Sequence, residues 1–464
     1  MVKLNDDDSK FREFALEGNM WKVIFRVCFP LAVFQIVNHI FNVLDSMMAS
    51  YISAQAVSAI AYISQIQQMI AAVGMGLAAG GSLKISLAYG AGDYETVKKR
   101  LSSLIGICFV IGLAVVLLLP FTSPFLRIMG TPESFIETGA RYFQVTMIAT
   151  ILNFFNNVYI SIERARGNSK RIMYLNIIVI VIKLMLTAVF VYILGGGITM
   201  IAAATVISQL ILFFIAVKNL KSGKDAFSFE IGYVSFKKKV VAPMIGLSFP
   251  VIVEKMAFAL GKSIVNAMSK DFGEIMVGAL GISNNICGTV TNIHVGFQDG
   301  VSAIISQNLG AGKKKRALDA FKKCTIINTA IGTVGMILLI TFIDGISGIF
   351  ANSANGFDYD FQQNIIMVFM YDCIGGCVPL GINCAVMALL FGIGKTRISL
   401  FINFCRVFVF RVPVLWVLRD YTDIGSESVG IVMLVSNLAT LMLDIIAGYI
   451  VIKKFFRGED KNEN

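Results

Sequence analysis

The amino-acid sequence predicts an all-α polytopic membrane protein with twelve transmembrane helices in two homologous six-helix lobes around a central cavity. Three observations predict this class: an excess of apolar residues, twelve apolar stretches of membrane-spanning length and an internal repeat. Of the 464 residues, 56% are hydrophobic and only 15% are charged, whereas soluble domains are nearer half apolar and a quarter charged. This composition excludes a disordered chain, a collagen-like fibre and a disulfide-stapled secreted module.

The apolar residues are grouped into stretches that can each cross a bilayer, which takes about 20 helical residues. The predicted spans are 22–48, 55–82, 101–121, 137–160, 172–194, 197–217, 241–268, 275–305, 322–343, 362–390, 399–418 and 428–452. The chain opens with a polar segment, and no early apolar run is followed by a cleavage-like site. We therefore expect no cleaved signal peptide and a first helix that stays in the membrane.

The positively charged residues between the spans predict the orientation. Alternate loops on one side of the membrane contain 21 Lys and Arg residues, and the loops on the other side contain 4. Because cytoplasmic loops carry the excess of positive charge, these 21 residues and both termini are predicted to be cytoplasmic. The positively charged cytoplasmic loops then account for the net charge of +11, and no nucleic-acid partner is predicted.

The second half of the chain repeats the first half at a shift of 220 residues. Phe29-Pro30 falls on Phe249-Pro250, and Gly90-Ala91-Gly92 falls on Gly310-Ala311-Gly312. The predicted organisation is an N-terminal lobe over residues 1–217, a Lys-rich cytoplasmic linker over 218–239 and a C-terminal lobe over 240–464. Repeats of the same orientation, with a site at their interface, are typical of transporters.

A polar stripe with a carboxylate runs along the first span. Gln35, Asn38, Asn42 and Asp45 follow one another at steps of three or four, which places them on one helix face. A carboxylate inside a membrane is costly and is a functional-site hypothesis by default. Asp45 is therefore the first candidate functional residue within the spans. The alternative is that Asp45 lies at the outer interface of this span, where water reaches it.

Several motifs together resemble those of the multidrug and toxic compound extrusion (MATE) family, within the MOP flippase superfamily. They are the turn 306–312 with its first-half partner 88–92, the Phe-Pro pair that opens each half, Asp45, the segment 164–168 after span four and the segment 202–209 in span six. The resemblance covers about residues 20–455. It implies two lobes, a central cavity and export of amphipathic, often cationic compounds, driven by inward movement of H⁺ or Na⁺.

Span five departs from what the resemblance implies. Many bacterial members of the family carry an Asn and, four residues later, an Asp in this span, and both approach the span-one Asp. Here these positions are Lys183 and Thr187, which puts in doubt a relay of two carboxylates and weakens a sodium site. Our hypothesis is that Lys183 pairs with Asp45 and is released when Asp45 is protonated; the alternative is that Lys183 snorkels to the interface. The predicted cation-coupling residues in this half are Asn42, Asp45, Lys183 and Thr187.

Span seven supplies a second coupling candidate, because members of the family often carry a Glu there, which is Glu254 in this chain. The alternative is an interfacial ion pair with Lys255. The stripe of Lys255, Lys262 and Asn266 indicates a polar cavity wall. The predicted substrate-cavity residues are Gln35, Asn38, Phe41, Asn153, Asn157, Lys255, Lys262 and Asn266. For the amides the alternative is structural, since buried amides can hold membrane helices together.

Other polar and sulfur-containing residues in the spans are predicted to be structural. Arg406 and Arg411 in span eleven are expected to pair with Asp299 and Asp444. The eight cysteines lie in or beside apolar stretches without a CxxC metal knuckle, so we interpret them as small buried hydrophobic residues. With two histidines in the chain, a metal site is not expected.

These patterns predict a secondary active multidrug efflux transporter that exports amphipathic or cationic organic compounds in exchange for H⁺ or Na⁺ by alternating access. The alternative is a flippase of the same superfamily for lipid-linked oligosaccharides, which the basic residues Lys183, Lys255 and Lys262 favour. An enzyme is not predicted, because no phosphate-binding loop or nucleophile–base pair is apparent. The expected partners are small-molecule substrates and the lipid bilayer; no cofactor besides the coupling ion is expected, and the chain is expected to act as a monomer.

Overall fold

The computed structural model describes residues 2, 4–50, 54–129, 131, 133–221, 225–353 and 356–456. Within these ranges, the side chains of residues 42–50, 54–62, 134, 135, 138, 274, 352, 353, 356 and 357 are outside the description. The described chain is almost entirely helical.

Its helices are α1 (Asp6–Glu17), α2 (Met20–Ser50), α3 (Ala54–Ala91), α4 (Tyr94–Leu118), α5 (Thr122–Ile128), α6 (Glu133–Ala165), α7 (Ser169–Ala188), α8 (Ile198–Lys221), α9 (Lys238–Ser269), α10 (Glu274–Gly310), α11 (Lys314–Thr341), α12 (Ile343–Ala351), α13 (Tyr359–Gly376), α14 (Val378–Gly392), α15 (Thr396–Phe408), α16 (Val412–Tyr421) and α17 (Ser428–Phe456). Two short antiparallel strands, β1 (Asn352–Ser353) and β2 (Gly356–Phe357), pair between α12 and α13.

Eleven helical segments of the described chain are long and apolar enough to cross a membrane. They correspond to eleven of the twelve predicted spans, and the all-α multi-pass class is confirmed. The other predicted span, 275–305, coincides with α10, which is 37 residues long and is not among the eleven. This helix carries Asn284, Asn285, Asn292 and His294, so it is the most polar of the predicted spans in the second half.

Several helices begin before the predicted spans, because polar caps start them outside the apolar stretch. The Asp93 carboxylate accepts a hydrogen bond from the Thr96 backbone N–H, which lowers the pKa of Asp93 and starts α4 at Tyr94. Lys98, predicted to lie in a loop, is therefore inside a helix. Likewise Asn5 caps α1, a helix that the sequence analysis did not predict although an N-cap followed by acidic residues favours one.

Prolines divide two predicted spans into pairs of helices. Span ten is α13 and α14, separated at Cys377 with Pro379 in the first turn of α14. Span eleven is α15 and α16, with Pro413 in the first turn of α16. A proline lacks the backbone N–H and clashes with the carbonyl four residues earlier, so it interrupts the helix. By contrast α9 continues through two prolines.

The chain divides into two compact units, which we call the first unit (Met1–Met256 with Ser306–Lys313) and the second unit (Ala257–Ile305 with Lys314–Asn464). In the first unit α6 packs against α3 and α8, and α2 packs against α7. In the second unit α11 packs against α14, and α13 against α17. The predicted lobes 1–217 and 240–464 and linker 218–239 stay a prediction.

Within the first unit, the described part of the predicted linker is bonded to α4. Lys98 Nζ lies 2.5 Å from Glu230 Oε2. The backbone N–H groups of Glu230 and Ser235 donate to the hydroxyls of Ser102 and Ser103 at 3.2 and 3.0 Å. These contacts satisfy linker backbone groups and explain why three polar residues stand at the start of a membrane helix.

Candidate functional site

The first-span stripe lies on α2. Gln35, Asn38 and Phe41 are half-buried there, and the side chains of Asn42 and Asp45 lie outside the described residues. Because α2 packs against α7, the helix that carries the stripe neighbours the helix that carries the other predicted coupling residues of this half.

On α7, Lys183 is half-buried and Thr187 is fully buried. Lys183 is not an isolated charge. The Thr187 hydroxyl has no hydrogen-bond partner among the described residues, which is costly for a buried hydroxyl.

The asparagines of α6 divide into two kinds. Asn156 is buried, and its Nδ2 donates to the backbone oxygen of Gln209 at 3.1 Å and to its Oε1 at 2.7 Å. It therefore joins α6 to α8. Asn153 and Asn157, one turn apart on α6, are half-buried and remain candidates for the cavity wall.

Close packing of α3 against the beginning of α9 positions Glu254. A Cβ on Gly80 would lie 2.4 Å from the backbone nitrogen of Ser248, and Gly76 is equally crowded by α9. The two backbones can approach only because both α3 residues are glycines. Glu254 follows on α9 at 6% exposure and has an interaction partner, while the adjacent Lys255 is exposed.

Motif segments from both halves of the sequence meet in the first unit. A Cβ on Gly90 would lie 1.9 Å from the Gln307 carbonyl oxygen, and a Cβ on Gly310 would lie 2.0 Å from the Leu87 carbonyl oxygen. These four residues are equivalent in pairs under the 220-residue shift, so the contact is reciprocal. Gln307 Nε2 also donates to the Ala165 carbonyl at 2.7 Å, which adds the third motif segment, 164–168, to the same place.

A buried ionic network holds α1 beside these motif segments. The Arg166 guanidinium binds both carboxylate oxygens of Asp8, at 3.1 and 2.8 Å, and lies 3.3 Å from Glu163 and from Asp225. Burial raises the pKa of Asp8, and the hydrogen bond and charge of Arg166 oppose that rise without cancelling it. Tyr89 donates from its hydroxyl to the Asp8 carbonyl, so α1 is fixed to the end of α3.

In the second unit, α9 and α15 approach closely at Gly261, where a Cβ would lie 1.9 Å from Val407 Cγ1. This approach brings Phe258 of α9 beside Arg406 of α15, whose Cζ lies 5.4 Å from the ring centroid. Lys262, one turn after Phe258, is exposed, and Asn266 is half-buried. Lys262 is within electrostatic range of Arg411.

Of the expected pairing of Arg406 and Arg411 with Asp299 and Asp444, the described residues show only Arg406 within electrostatic range of Asp444; the hydrogen bonds of both arginines go elsewhere. Arg406 Nε and Arg411 Nη2 donate to the same oxygen, Asn437 Oδ1, at 3.1 and 3.0 Å. Arg411 Nε donates to Ser436 Oγ at 3.0 Å. Asp444 instead accepts from Asn383 Nδ2 at 2.9 Å. Asparagines of neighbouring helices thus bind both the arginines and Asp444.

Asp372, a carboxylate that the sequence analysis left outside the site, is buried on α13. Its Oδ2 accepts from Ser283 Oγ at 3.3 Å, and Arg411 and Arg406 are within electrostatic range. An Asp inside a predicted span was the signal that could have identified it. Among the described side chains, no group of three or more His, Cys, Asp or Glu residues is arranged to hold a metal ion.

The interruption between α13 and α14 is stabilised by side chains that sequence reasoning missed. His294 of α10 bonds through Nε2 to the Cys377 carbonyl at 3.1 Å. Asn328 Nδ2 donates to the Gly381 carbonyl at 3.0 Å. The Cys377 carbonyl also accepts from the Gly381 backbone N–H at 3.3 Å, so His294 is its second partner. The roles of His294 and Asn328 depend on tertiary contacts and have no local sequence pattern.

Both halves of the sequence match a known protein family, and similar proteins cover most of the chain. The model of the MatE family matches residues 30–189 and 250–417, one match in each half. "Probable multidrug resistance protein YoeA" of Bacillus subtilis (strain 168) is 24% identical, with 93% of each chain covered. "Probable multidrug resistance protein NorM" of Thermotoga maritima is 19% identical, with 87% of each covered, and the "FAD transporter" of Shewanella oneidensis is 21% identical, with 86% of this chain and 87% of the relative covered.

Solved structures share the fold. An outward-facing multidrug resistance MATE family transporter of the MOP superfamily superposes with a TM-score of 0.88 at 19% identity, over 97% of this chain and 98% of that one. A MOP superfamily transporter from Pyrococcus furiosus, described as having a binding pocket of reverse polarity, superposes with a TM-score of 0.89 at 19% identity, over 97% and 99%. The family matches span most of both halves, and this chain belongs to the MatE family of multi-pass membrane transporters.

Proposed function

We propose that this chain is a secondary active multidrug efflux transporter, which exports amphipathic or cationic organic compounds in exchange for H⁺ or Na⁺ by alternating access. The observation that carries the proposal is the match of the MatE model to both halves, together with relatives named as multidrug resistance proteins over most of their length. We place the chain in the bacterial cytoplasmic membrane as a monomer, with both termini in the cytoplasm.

Ion coupling is assigned to carboxylates in the first unit. Glu254 is buried on α9, and Asp45 lies on α2, which packs against α7. Neutralising a buried carboxylate with H⁺ or Na⁺ removes the cost of keeping the charge in the membrane. Lys183 and Thr187 on α7, with Asn42 on α2, complete the proposed coupling set.

Substrate contact is assigned to half-buried or exposed polar and aromatic side chains. These are Gln35, Asn38, Phe41, Asn153, Asn157, Lys255, Lys262 and Asn266. The ion and the substrate exchange because each shifts the conformational equilibrium by its differential affinity for the two states. An ion that binds the coupling carboxylates and a substrate that binds the other state therefore displace one another.

Transport by the purified protein in liposomes tests the proposal. Ethidium efflux is followed with a proton gradient and a sodium gradient imposed separately, and one of them should drive it. Glu254→Gln should lose most gradient-driven efflux while still binding ethidium. The matched control is Glu137→Gln, which neutralises an exposed carboxylate near the start of α6 and should transport normally. Efflux that neither gradient drives would contradict the proposal.

The second candidate, a flippase for lipid-linked oligosaccharides, is favoured by the basic residues Lys183, Lys255 and Lys262 in predicted spans. Expression in a pump-deficient bacterium separates the two. Ethidium resistance that an uncoupler abolishes supports the exporter. Rescue of a cell-envelope defect without resistance supports the flippase.

A further inference from the structure

The second unit concentrates positive charge within its membrane helices. Lys262, Arg406 and Arg411 lie on α9, on α15 and between α15 and α16. Arg411 is only 6% exposed. Arginine stays protonated in proteins, and a cation in a span is expensive unless it is paired or faces a cavity. In the part of the chain that the structure describes, neither guanidinium is within salt-bridge distance of a carboxylate.

The guanidiniums of Arg406 and Arg411 share one hydrogen-bond acceptor. Both donate to Asn437 Oδ1, so a single neutral oxygen joins two like charges. Each guanidinium has five N–H groups, and the hydrogen bonds to Asn437 and Ser436 use only a minority of them. The arrangement leaves N–H groups of both arginines for a bidentate acceptor, for which the guanidinium geometry is suited.

The nearby carboxylates do not balance this charge. Asp372 is within electrostatic range of Lys262, Arg406 and Arg411, and Asp444 is within range of Arg406. Three cations against two carboxylates leave an excess of one positive charge. Both carboxylates are also engaged by neutral donors, Ser283 and Asn383, so they do not shield the guanidiniums directly. An added anion would complete the balance.

An aromatic surface adjoins the charge. Phe258 covers Arg406 at 5.4 Å and is 37% exposed. Phe258 and Lys262 are one turn apart and share a face of α9. The close approach at Gly261 fixes this face against α15. The cluster therefore offers an aromatic ring and an exposed ammonium on one helix, beside two guanidiniums.

We propose that Lys262, Arg406 and Arg411 form a binding subsite for the carboxylate or phosphate of an aromatic amphiphile. The ring of Phe258 contacts the apolar body of the ligand, and the cations bind its oxyanion. The subsite extends the substrate range of the transporter to anionic amphiphiles, and as a substrate site it rests on the proposed transport function.

Equilibrium binding of two dyes with the same xanthene ring tests the subsite. The protein in phosphatidylcholine nanodiscs is titrated into fluorescein, a dianion, and rhodamine 6G, a cation, and fluorescence anisotropy gives each Kd. Lys262→Gln should weaken fluorescein binding about tenfold, the effect of losing one charge-assisted hydrogen bond, and should weaken rhodamine 6G binding less, because this dye and the ammonium have the same charge. Lys262→Arg should restore fluorescein binding. Lys262 is the primary variant because its exposed side chain can be replaced without disturbing packing.

The matched control is Lys315→Gln, which removes an exposed ammonium from α11 in the same unit and should bind both dyes like the wild type. Arg406→Gln is the second variant, accepted only if its melting temperature matches that of the wild type. Unchanged fluorescein affinity in Lys262→Gln, or an equal loss in Lys315→Gln, would overturn the proposal.

Nanodiscs of two lipid compositions show whether the anion in the subsite is a lipid phosphate or a free substrate. If a lipid phosphate occupies the subsite, phosphatidylglycerol in the nanodiscs should weaken fluorescein binding by the wild type and not by Lys262→Gln. If a free substrate occupies it, fluorescein affinity should be the same in both lipid mixtures. Dye binding is measured without an ion gradient. Failure of ion-driven efflux in liposomes would therefore contradict the proposed transport function without changing the dye affinities that test the subsite.

Discussion

At the scale of single residues, the ionic network of the first unit joins one guanidinium, that of Arg166, to three carboxylates. Arg166 is the only cation in contact with Asp8 among the described residues, and it also neutralises Glu163, which is 0% exposed. Arg166→Gln should therefore destabilise the protein by about 3–5 kcal/mol, because it leaves buried charges without compensation. Thermal unfolding of the purified protein measures this loss.

The matched control for Arg166 is Arg171→Gln. Arg171 is 43% exposed and reaches Glu163 at 3.8 Å, so its removal should cost about 1 kcal/mol or less. Equal melting temperatures for the two variants would contradict the assignment of Arg166 as the central cation.

The pH dependence of this network has a definite sign. Burial raises the pKa of Asp8, so the folded protein holds the Asp8 proton to a higher pH than the unfolded chain does. The contribution of Asp8 to stability is then present at low pH and decreases as pH rises through its folded-state pKa. Removing Arg166 strengthens this dependence. The deficit of Arg166→Gln should be smaller near about pH 5 than near about pH 8, as melting curves at the two values will show.

Charged residues inside apolar stretches could be identified from the sequence, and partnerships between distant residues could not. Glu254, Lys183 and Lys262 stand out because their neighbours are apolar. Arg166 binds Asp8, 158 residues away, and Arg406 binds Asn437 rather than a carboxylate. Both partnerships depend on which helices become neighbours. An asparagine in a span gives no local indication of which side chain it will meet.

At the scale of helices, the reciprocal glycine contact between α3 and α10 should be intolerant of any side chain. In Gly90→Ala and Gly310→Ala the new Cβ would overlap a backbone carbonyl of the opposing helix, which cannot yield as a flexible side chain can. Each substitution should cost about 1–3 kcal/mol, the usual penalty of overpacking, measured as a lower melting temperature.

Gly281→Ala supplies the matched control on α10. A Cβ there has no neighbour within 4 Å, so the substitution should be neutral or stabilising by about 0.5–1 kcal/mol, since alanine favours a helix over glycine. A comparable loss at Gly281 and Gly310 would indicate that helix propensity, and not the close approach, explains the result.

Helix interruptions show what local patterns leave undecided. Hydrophobic runs predicted the spans well, yet two of them are broken and α9 continues through Pro243 and Pro250. At the break beside Pro379, side chains of neighbouring helices bind nearby carbonyls, as His294 does at Cys377. The presence of such partners is a property of the packed unit, so the sequence shows where a break is possible and not whether it forms.

At the scale of the whole molecule, the internal repeat predicted two related halves, and the charge asymmetry predicted the orientation in the membrane. The family model matches both halves, in agreement with the 220-residue repeat, because duplication preserves motifs over long stretches. The orientation rests on the distribution of Lys and Arg alone and stays a prediction. It depends on an even number of crossings, and α10 is the helix whose crossing is least evident from its composition.

Cysteine labelling can decide whether α10 crosses the membrane. Lys270 precedes α10 and Lys315 follows it, and both are exposed, whereas all eight native cysteines are buried and should react little. With a membrane-impermeant maleimide, Lys270→Cys should be labelled in intact cells and Lys315→Cys only in inverted vesicles, because the positive charges place Lys315 in the cytoplasm. Labelling of both from the same side would mean that α10 does not cross, and the two termini would then lie on opposite sides of the membrane.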